Sequence, residues 1–173
     1  MAAIVARPLR DTWWRVIRVT YVADPLGKNR RTMPATRFNV VGGTRVLYLS
    51  QKGTTAMMEA QAFGAPAQAV IAFPVRFNLQ AVIDLVDPAT CAALQITTNE
   101  LVRNHRMATA SPPTPTQDLG EVCAQSGLVD GIVFGSVADP PNLNLVVLEA
   151  NLARLGSTLE VDPILSGSKH TLP

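Results

Sequence analysis

Four polar side chains set among apolar neighbours carry the chemistry this sequence offers. They are Arg15 beside Trp14, Arg37 at the end of a basic loop, Tyr48 inside Val46-Leu47-Tyr48-Leu49, and Glu59 inside the run TTAMMEAQAFG. Arginine presents a planar fork of donors that matches the several acceptor oxygens of a phosphate, so two arginines brought together would clamp a pyrophosphate. Tyr48 adds an aromatic face and a hydroxyl, suited to stacking a base or a nicotinamide ring. Glu59 is the only acid between Asp24 and Asp84, and its neighbours are Ala and Met, which suits a carboxylate that is partly buried for a purpose. Taken singly, each also has an ordinary reading: a solvated or paired arginine, a core tyrosine with its hydroxyl at the edge, a glutamate facing water. Their arrangement has to decide.

Other chemistries lack their residues. The two cysteines, Cys91 and Cys123, stand 32 positions apart and neither belongs to a CxxC, and there are only two histidines, so zinc-finger and iron–sulfur sites are excluded. Small buried packing is the expected role of both cysteines. No GxSxG or HExxH occurs, and His105 and His170 stand apart from any motif that would make them bases. GxGxxG and GxxxxGK[ST] are also absent, which disfavours Rossmann and P-loop folds.

The elements that must position these residues mix strands and helices without regular βαβ alternation. Trp13 to Tyr21 alternates as a strand, Val22 to Thr36 reads as a long loop, and Val46 to Leu49 is a second short strand. A helix of about three turns runs from Thr54, with Gly64 as its terminator. Ala69 to Phe73 and Leu79 to Val86 read as β-segments broken by Pro74, followed by a short helix, Ala89 to Leu94. Asn99 to Arg106 is ambiguous. Ser111 to Pro115 reads as a rigid loop, Thr116 to Ser126 as a helix ending near Gly127, and Gly131 to Phe134 and Leu143 to Leu148 as strands. The tail from Ser157 carries little signal, and the last eight residues are expected to fray.

The chain has 173 residues, 47% of them hydrophobic and 16% charged, enough for one globular domain with a core that needs no disulfide or metal. The apolar stretches are too short for a membrane span and the N-terminus lacks an apolar core segment, so a soluble, cytoplasmic protein is expected. The net charge of +2 hides a split: residues 1–52 carry ten of the fifteen Lys and Arg and only two acids. That polarity suits an anionic partner, an acidic protein, or simply a solvated basic face. Nucleic acid is disfavoured, because the cluster around Arg30 and Arg31 lacks interleaved aromatics.

The run Arg37-Phe38-Asn39-Val40-Val41-Gly42-Gly43, then Val46-Leu47-Tyr48-Leu49-Ser50, then Thr55-Ala56-Met57-Met58-Glu59 resembles the heart of the RES-domain family. That family shows a G-G-R-[WF]-N-x-x-G loop, a hydrophobic-Tyr-hydrophobic strand, and an A-x-x-E helix about eleven residues past the tyrosine. Trp14-Arg15 resembles its aromatic-Arg first strand. Gly131-Ile132-Val133-Phe134-Gly135-Ser136-Val137 and Asn144-Leu145-Val146-Val147 resemble its later G-[IV]-x-x-[PG]-S-A segment and Asn-hydrophobic strand. The likeness covers about residues 13–149. Departures are Ala35-Thr36 for the usual Gly-Gly, Phe38 for tryptophan, and Val16 where an aromatic is common.

The resemblance implies an ADP-ribosyltransferase-like α+β single domain with a split, mostly antiparallel sheet. It implies a toxin of a bacterial toxin–antitoxin pair that cleaves the nicotinamide–ribose bond of NAD, with water or inorganic phosphate as acceptor and no metal; transfer of ADP-ribose to protein is the alternative. The partner implied is an Xre-type antitoxin that occludes the active site. The family's named Arg, Glu and Ser map to Arg15 or Arg37, Glu59 and Ser136. On this reading Arg15 and Arg37 bind the pyrophosphate and Tyr48 packs on the nicotinamide end. Glu59 stabilises the cationic ribose, Asn144 belongs to the binding set, and Ser136, with Thr114 as the weaker candidate, supplies a hydroxyl.

Overall fold

The computed structural model describes residues 4–28, 34–62, 69–102, 113–162, 167 and 169–173. Expectations for Arg30, Arg31, Gly64, His105, Ser111 and Pro112 lie outside the described residues.

The strands are β1 (Arg7–Arg18), β2 (Val46–Ser50), β3 (Val70–Asp84), β4 (Gly131–Gly135), β5 (Leu143–Leu148), β6 (Thr158–Val161) and β7 (His170–Leu172). The helices are α1 (Gly53–Ala62), α2 (Pro88–Leu94), α3 (Thr98–Val102), α4 (Pro115–Ser126) and α5 (Glu149–Leu155). Hydrogen bonding orders the strands β1-β2-β5-β4-β3-β6-β7, with β1 also pairing along β3. Every pairing is antiparallel except β3 with β4. The result is an α+β domain whose sheet has two limbs, β2-β5-β4 and β1-β3-β6-β7. They meet narrowly, where Val82 to Asp84 lies beside Gly131 to Val133 and where Trp14 faces Ser50.

Several boundaries differ from expectation. Instead of breaking at Pro74, β3 runs through it as one strand. Proline is tolerated there because β6 flanks only Arg76 to Asn78 and β4 only Val82 to Asp84, so no ladder bond is forfeited on that edge at Pro74. β1 begins at Arg7 and not Trp13, paired with β3 from Arg7 to Arg18, and Val19–Tyr21 turns into a 3-10 helix. The C-terminal tail does not simply fray: β6 and β7 extend the sheet and bury Leu159, Val161 and Leu172. Strands of three and four residues are too short to show a period. Helix α5 also escaped the pattern, although Gly156 ends it in the left-handed conformation.

The alternation of the strands sorts side chains onto two faces. Leu47, Leu49, Val133, Leu145 and Val147 join Trp13, Ile17, Phe73, Val75 and Phe77 in one core. Val46, Ile132, Phe134, Val146 and Leu148 pack with Phe38, Cys123 and Ala124 of the layer formed by α4 and the loop before β2. Cys123 is buried as expected, and burial pushes its thiol up to about 11. Among the described residues no helix is long and apolar enough to cross a membrane.

Candidate active site

The second face bears the site. Ser50 of β2 is paired with Asn144 of β5, and Asn144 with Phe134 of β4, so these three form a row across adjacent strands, with Tyr48 two residues before Ser50. A one-residue slip of any strand would turn its member away. Helix α1 lies over the row. Its Gly53 sits against the Trp14 indole, where an added Cβ would stand 3.2 Å from the ring. The resulting pocket has a volume of about 220 Å³ and is bordered by Trp14, Arg15, Arg37, Tyr48, Glu59 and Asn144, among others.

Glu59 Oε1 accepts from Ser136 Oγ at 2.5 Å and from Asn144 Nδ2 at 2.7 Å. Asn144 is itself oriented, because its Oδ1 accepts from Ser50 Oγ at 2.7 Å. Among the described residues no hydrogen bond reaches Oε2. One carboxylate oxygen is therefore anchored by two donors, and the side chain borders the pocket.

Arg37 is presented by a stapled turn. The Phe38 amide donates to the Tyr48 hydroxyl at 3.1 Å, which bonds Thr36 Oγ1 at 2.8 Å, and Thr36 Oγ1 in turn donates to Asn39 Oδ1. Asn39 Nδ2 donates to the carbonyls of Pro34 and Val40. From the far side, Gln117 Nε2 of α4 donates to the carbonyls of Thr36 and Asn39. Burial pushes the Tyr48 phenol up to about 12, against its hydrogen bonds and the Arg37 charge. The Arg37 guanidinium is buried over the Phe134 ring, 5.0 Å from its centroid. Burial lowers its pKa, opposed by Tyr48 and Glu59. A desolvated guanidinium beside a pocket favours an anionic ligand.

The expected residues are thus brought together unequally. Arg37, Tyr48, Glu59 and Asn144 border one cavity. Arg15 borders it too, but it shares the buried side of β1 with Trp13 and Ile17, and it donates from Nε to Pro25 O at 3.0 Å and from Nη1 to Tyr48 O at 3.3 Å. Ser136 is not among the residues that border the cavity, and its hydroxyl donates to the Glu59 carboxylate. Thr114 is the N-cap of α4, in a reciprocal capping box with Gln117. The spacing Thr114-x-x-Gln117 carries that signal in the sequence. Ser50, Phe134 and Gln117 were missed as site residues; Ser50 was within reach, two positions past Tyr48 on the same strand face.

A family model described as the RES domain matches residues 12–165. Among solved structures the chain is similar to one in the crystal structure of the M. tuberculosis MbcT-MbcA toxin-antitoxin complex. The identity is 16% and the TM-score 0.56, over 86% of this chain and 79% of that chain, a likeness of fold. No curated protein matches the sequence.

Proposed function

This chain belongs to the RES-domain family, and we propose that it is the toxin of a toxin–antitoxin pair and acts by cleaving the nicotinamide–ribose bond of NAD. The observation that carries the reading is Glu59, whose Oε1 is anchored by two donors and which borders a pocket that Arg37 borders too. As the glycosidic bond breaks, its electron pair moves to the nicotinamide ring nitrogen and neutralises it. Positive charge develops on the ribose. A fixed carboxylate beside that charge stabilises the transition state more than the ground state. Nicotinamide leaves as a neutral molecule, so no general acid is required. Water, as the acceptor, bonds through its oxygen to the anomeric carbon and gives up one proton to solvent; inorganic phosphate bonds through an anionic oxygen, whose charge neutralises the ribose with no proton lost.

A volume of about 220 Å³ is small for a whole dinucleotide and suits its nicotinamide-ribose end. Tyr48 walls that end, Arg37 takes the pyrophosphate, and Arg15 adds positive charge at the border. The solved relative is a toxin-antitoxin complex, which supports an antitoxin partner here; an Xre-type protein that fills the pocket would silence the enzyme.

The test is nicotinamide release from NAD by purified protein, with and without inorganic phosphate, beside Glu59→Ala. Release by the wild type alone supports the reading, and the phosphate dependence identifies the acceptor. Label transferred from NAD to protein in a lysate, without free ADP-ribose, would replace it with protein ADP-ribosylation.

A further inference from the structure

Helix α1 presents two residues one turn apart to the connection between β4 and β5, Thr55 and Glu59, spaced i and i+4 on one helical face. Thr55 is fully buried. Its hydroxyl donates to Asp139 Oδ2 at 2.5 Å, the Asp139 amide donates to Ser136 Oγ at 3.0 Å, and the Ser136 hydroxyl donates to Glu59 Oε1 at 2.5 Å. The backbone of α1 closes the circuit from Glu59 back to Thr55. The connection is also bonded within itself, Ser136 N to Asn142 O and Asn142 N to Asp139 O, so anchoring Asp139 fixes Ser136 as well.

A serine hydroxyl has one proton and two lone pairs. With one lone pair taken by the Asp139 amide, the proton is restricted to the directions left, and the one observed is Glu59. We propose that Thr55 and Asp139 form a latch that aims the Ser136 hydroxyl at Glu59, and so holds the carboxylate in one orientation at the border of the pocket. Both are positioning residues: neither borders the cavity, and each acts through Ser136. The proposal rests on the NAD-cleavage reading only for its kinetic consequence. The latch itself can be read without it.

Two measurements separate the two ideas. In steady-state kinetics with NAD, Thr55→Val and Asp139→Ala are each expected to lower kcat about tenfold at unchanged KM, the size of one misdirected hydrogen bond. Thr55→Ser and Asp139→Asn, which keep the donor and the acceptor oxygen, are expected to return kcat to within about twofold of the wild type. In amide hydrogen exchange followed by NMR, the Asp139 amide is expected to exchange about tenfold faster in Thr55→Val. Wild-type kcat in Thr55→Val, or a loss that Thr55→Ser does not restore, overturns the latch. If the wild type releases no nicotinamide, the functional reading fails and exchange decides alone: faster exchange at Asp139 upholds the latch, and unchanged exchange overturns it.

Discussion

The Ser136 hydroxyl stands 2.5 Å from Oε1 of Glu59, although the two residues are 77 positions apart in the chain. One comes from the turn after β4 and the other from the middle of α1, so the bond couples the sheet to the helix above the pocket. With Asn144 it makes Glu59 an oriented carboxylate instead of a mobile surface one.

Removing one of those two donors should therefore cost turnover and spare the fold. A hydrogen bond to a charged group is worth about 1.5–3 kcal/mol, which corresponds to roughly 10- to 160-fold in rate. Ser136→Ala and Asn144→Ala are each expected to lower kcat for nicotinamide release by that range. Glu59→Gln should reduce it further than either. Kinetics of the three variants at saturating NAD, with circular dichroism to confirm folding, checks the ranking; a Ser136→Ala enzyme as fast as wild type would refute it.

Tyr48 gives the protein a pH signature. Its phenol is pushed from an ordinary value of 10.0 up to about 12 by burial, so the folded state holds a proton that the unfolded state releases first. The sign follows from linkage: this contribution is fully present below pH 10 and is lost as pH rises toward 12. Thermal melts at pH 9 and 11 should show a larger drop for the wild type than for Tyr48→Phe, by about 1.4 kcal/mol at most. At pH 7 the wild type should be the more stable of the two, because Tyr48→Phe leaves the Phe38 amide without its acceptor.

The part of this site that was legible in the sequence is the part carried by local pattern. The short apolar runs Val46 to Leu49 and Leu143 to Leu148 marked β2 and β5, and Tyr48 and Glu59, at the family-like spacing, border one cavity. The rest depends on which distant segments meet. Arg15 was readable as a strand residue, but the strand's parity sets it beside Trp13 and Ile17, where it bonds two carbonyls. Nothing local to Thr55 announces Asp139, since their bond exists only after α1 is laid over the sheet. Pro74 is a breaker by composition, and β3 tolerates it because neither β6 nor β4 reaches it on that edge.

Helix α4 is the splint for the arginine turn, and Gly120 is where it touches. A Cβ added at Gly120 would stand 1.9 Å from the Phe38 carbonyl oxygen, a backbone atom that cannot swing aside. Gly120→Ala must therefore move α4 or the turn that carries Arg37. Overpacking of this kind costs about 1–3 kcal/mol. Urea unfolding should show that loss, and KM for NAD should rise with it, since Arg37 is displaced from the pocket. An unchanged KM in a folded Gly120→Ala protein would separate α4 from the site.

Asp130 offers the contrasting case of a buried carboxylate that builds the fold without serving the pocket. It is fully buried at the start of β4, where Oδ2 accepts from the Gln80 amide at 2.8 Å and Oδ1 from the Ala81 amide at 3.0 Å, with the Ser157 hydroxyl also donating to Oδ2. Those bonds tie β3 to β4 at the narrow join of the two limbs and hold the chain entering β6. Asp130→Ala would take the printed acceptor from the Ala81 amide and leave the Gln80 amide with the Ser157 hydroxyl alone, while emptying a fully buried position, and an unsatisfied group costs about 1–3 kcal/mol. The expected result is a loss of about 2–5 kcal/mol in urea unfolding. KM for NAD in the fraction that remains folded should stay at the wild-type value, because none of these groups borders the cavity. A raised KM would mean that the join between the limbs also sets the geometry of the Ser50, Asn144 and Phe134 row.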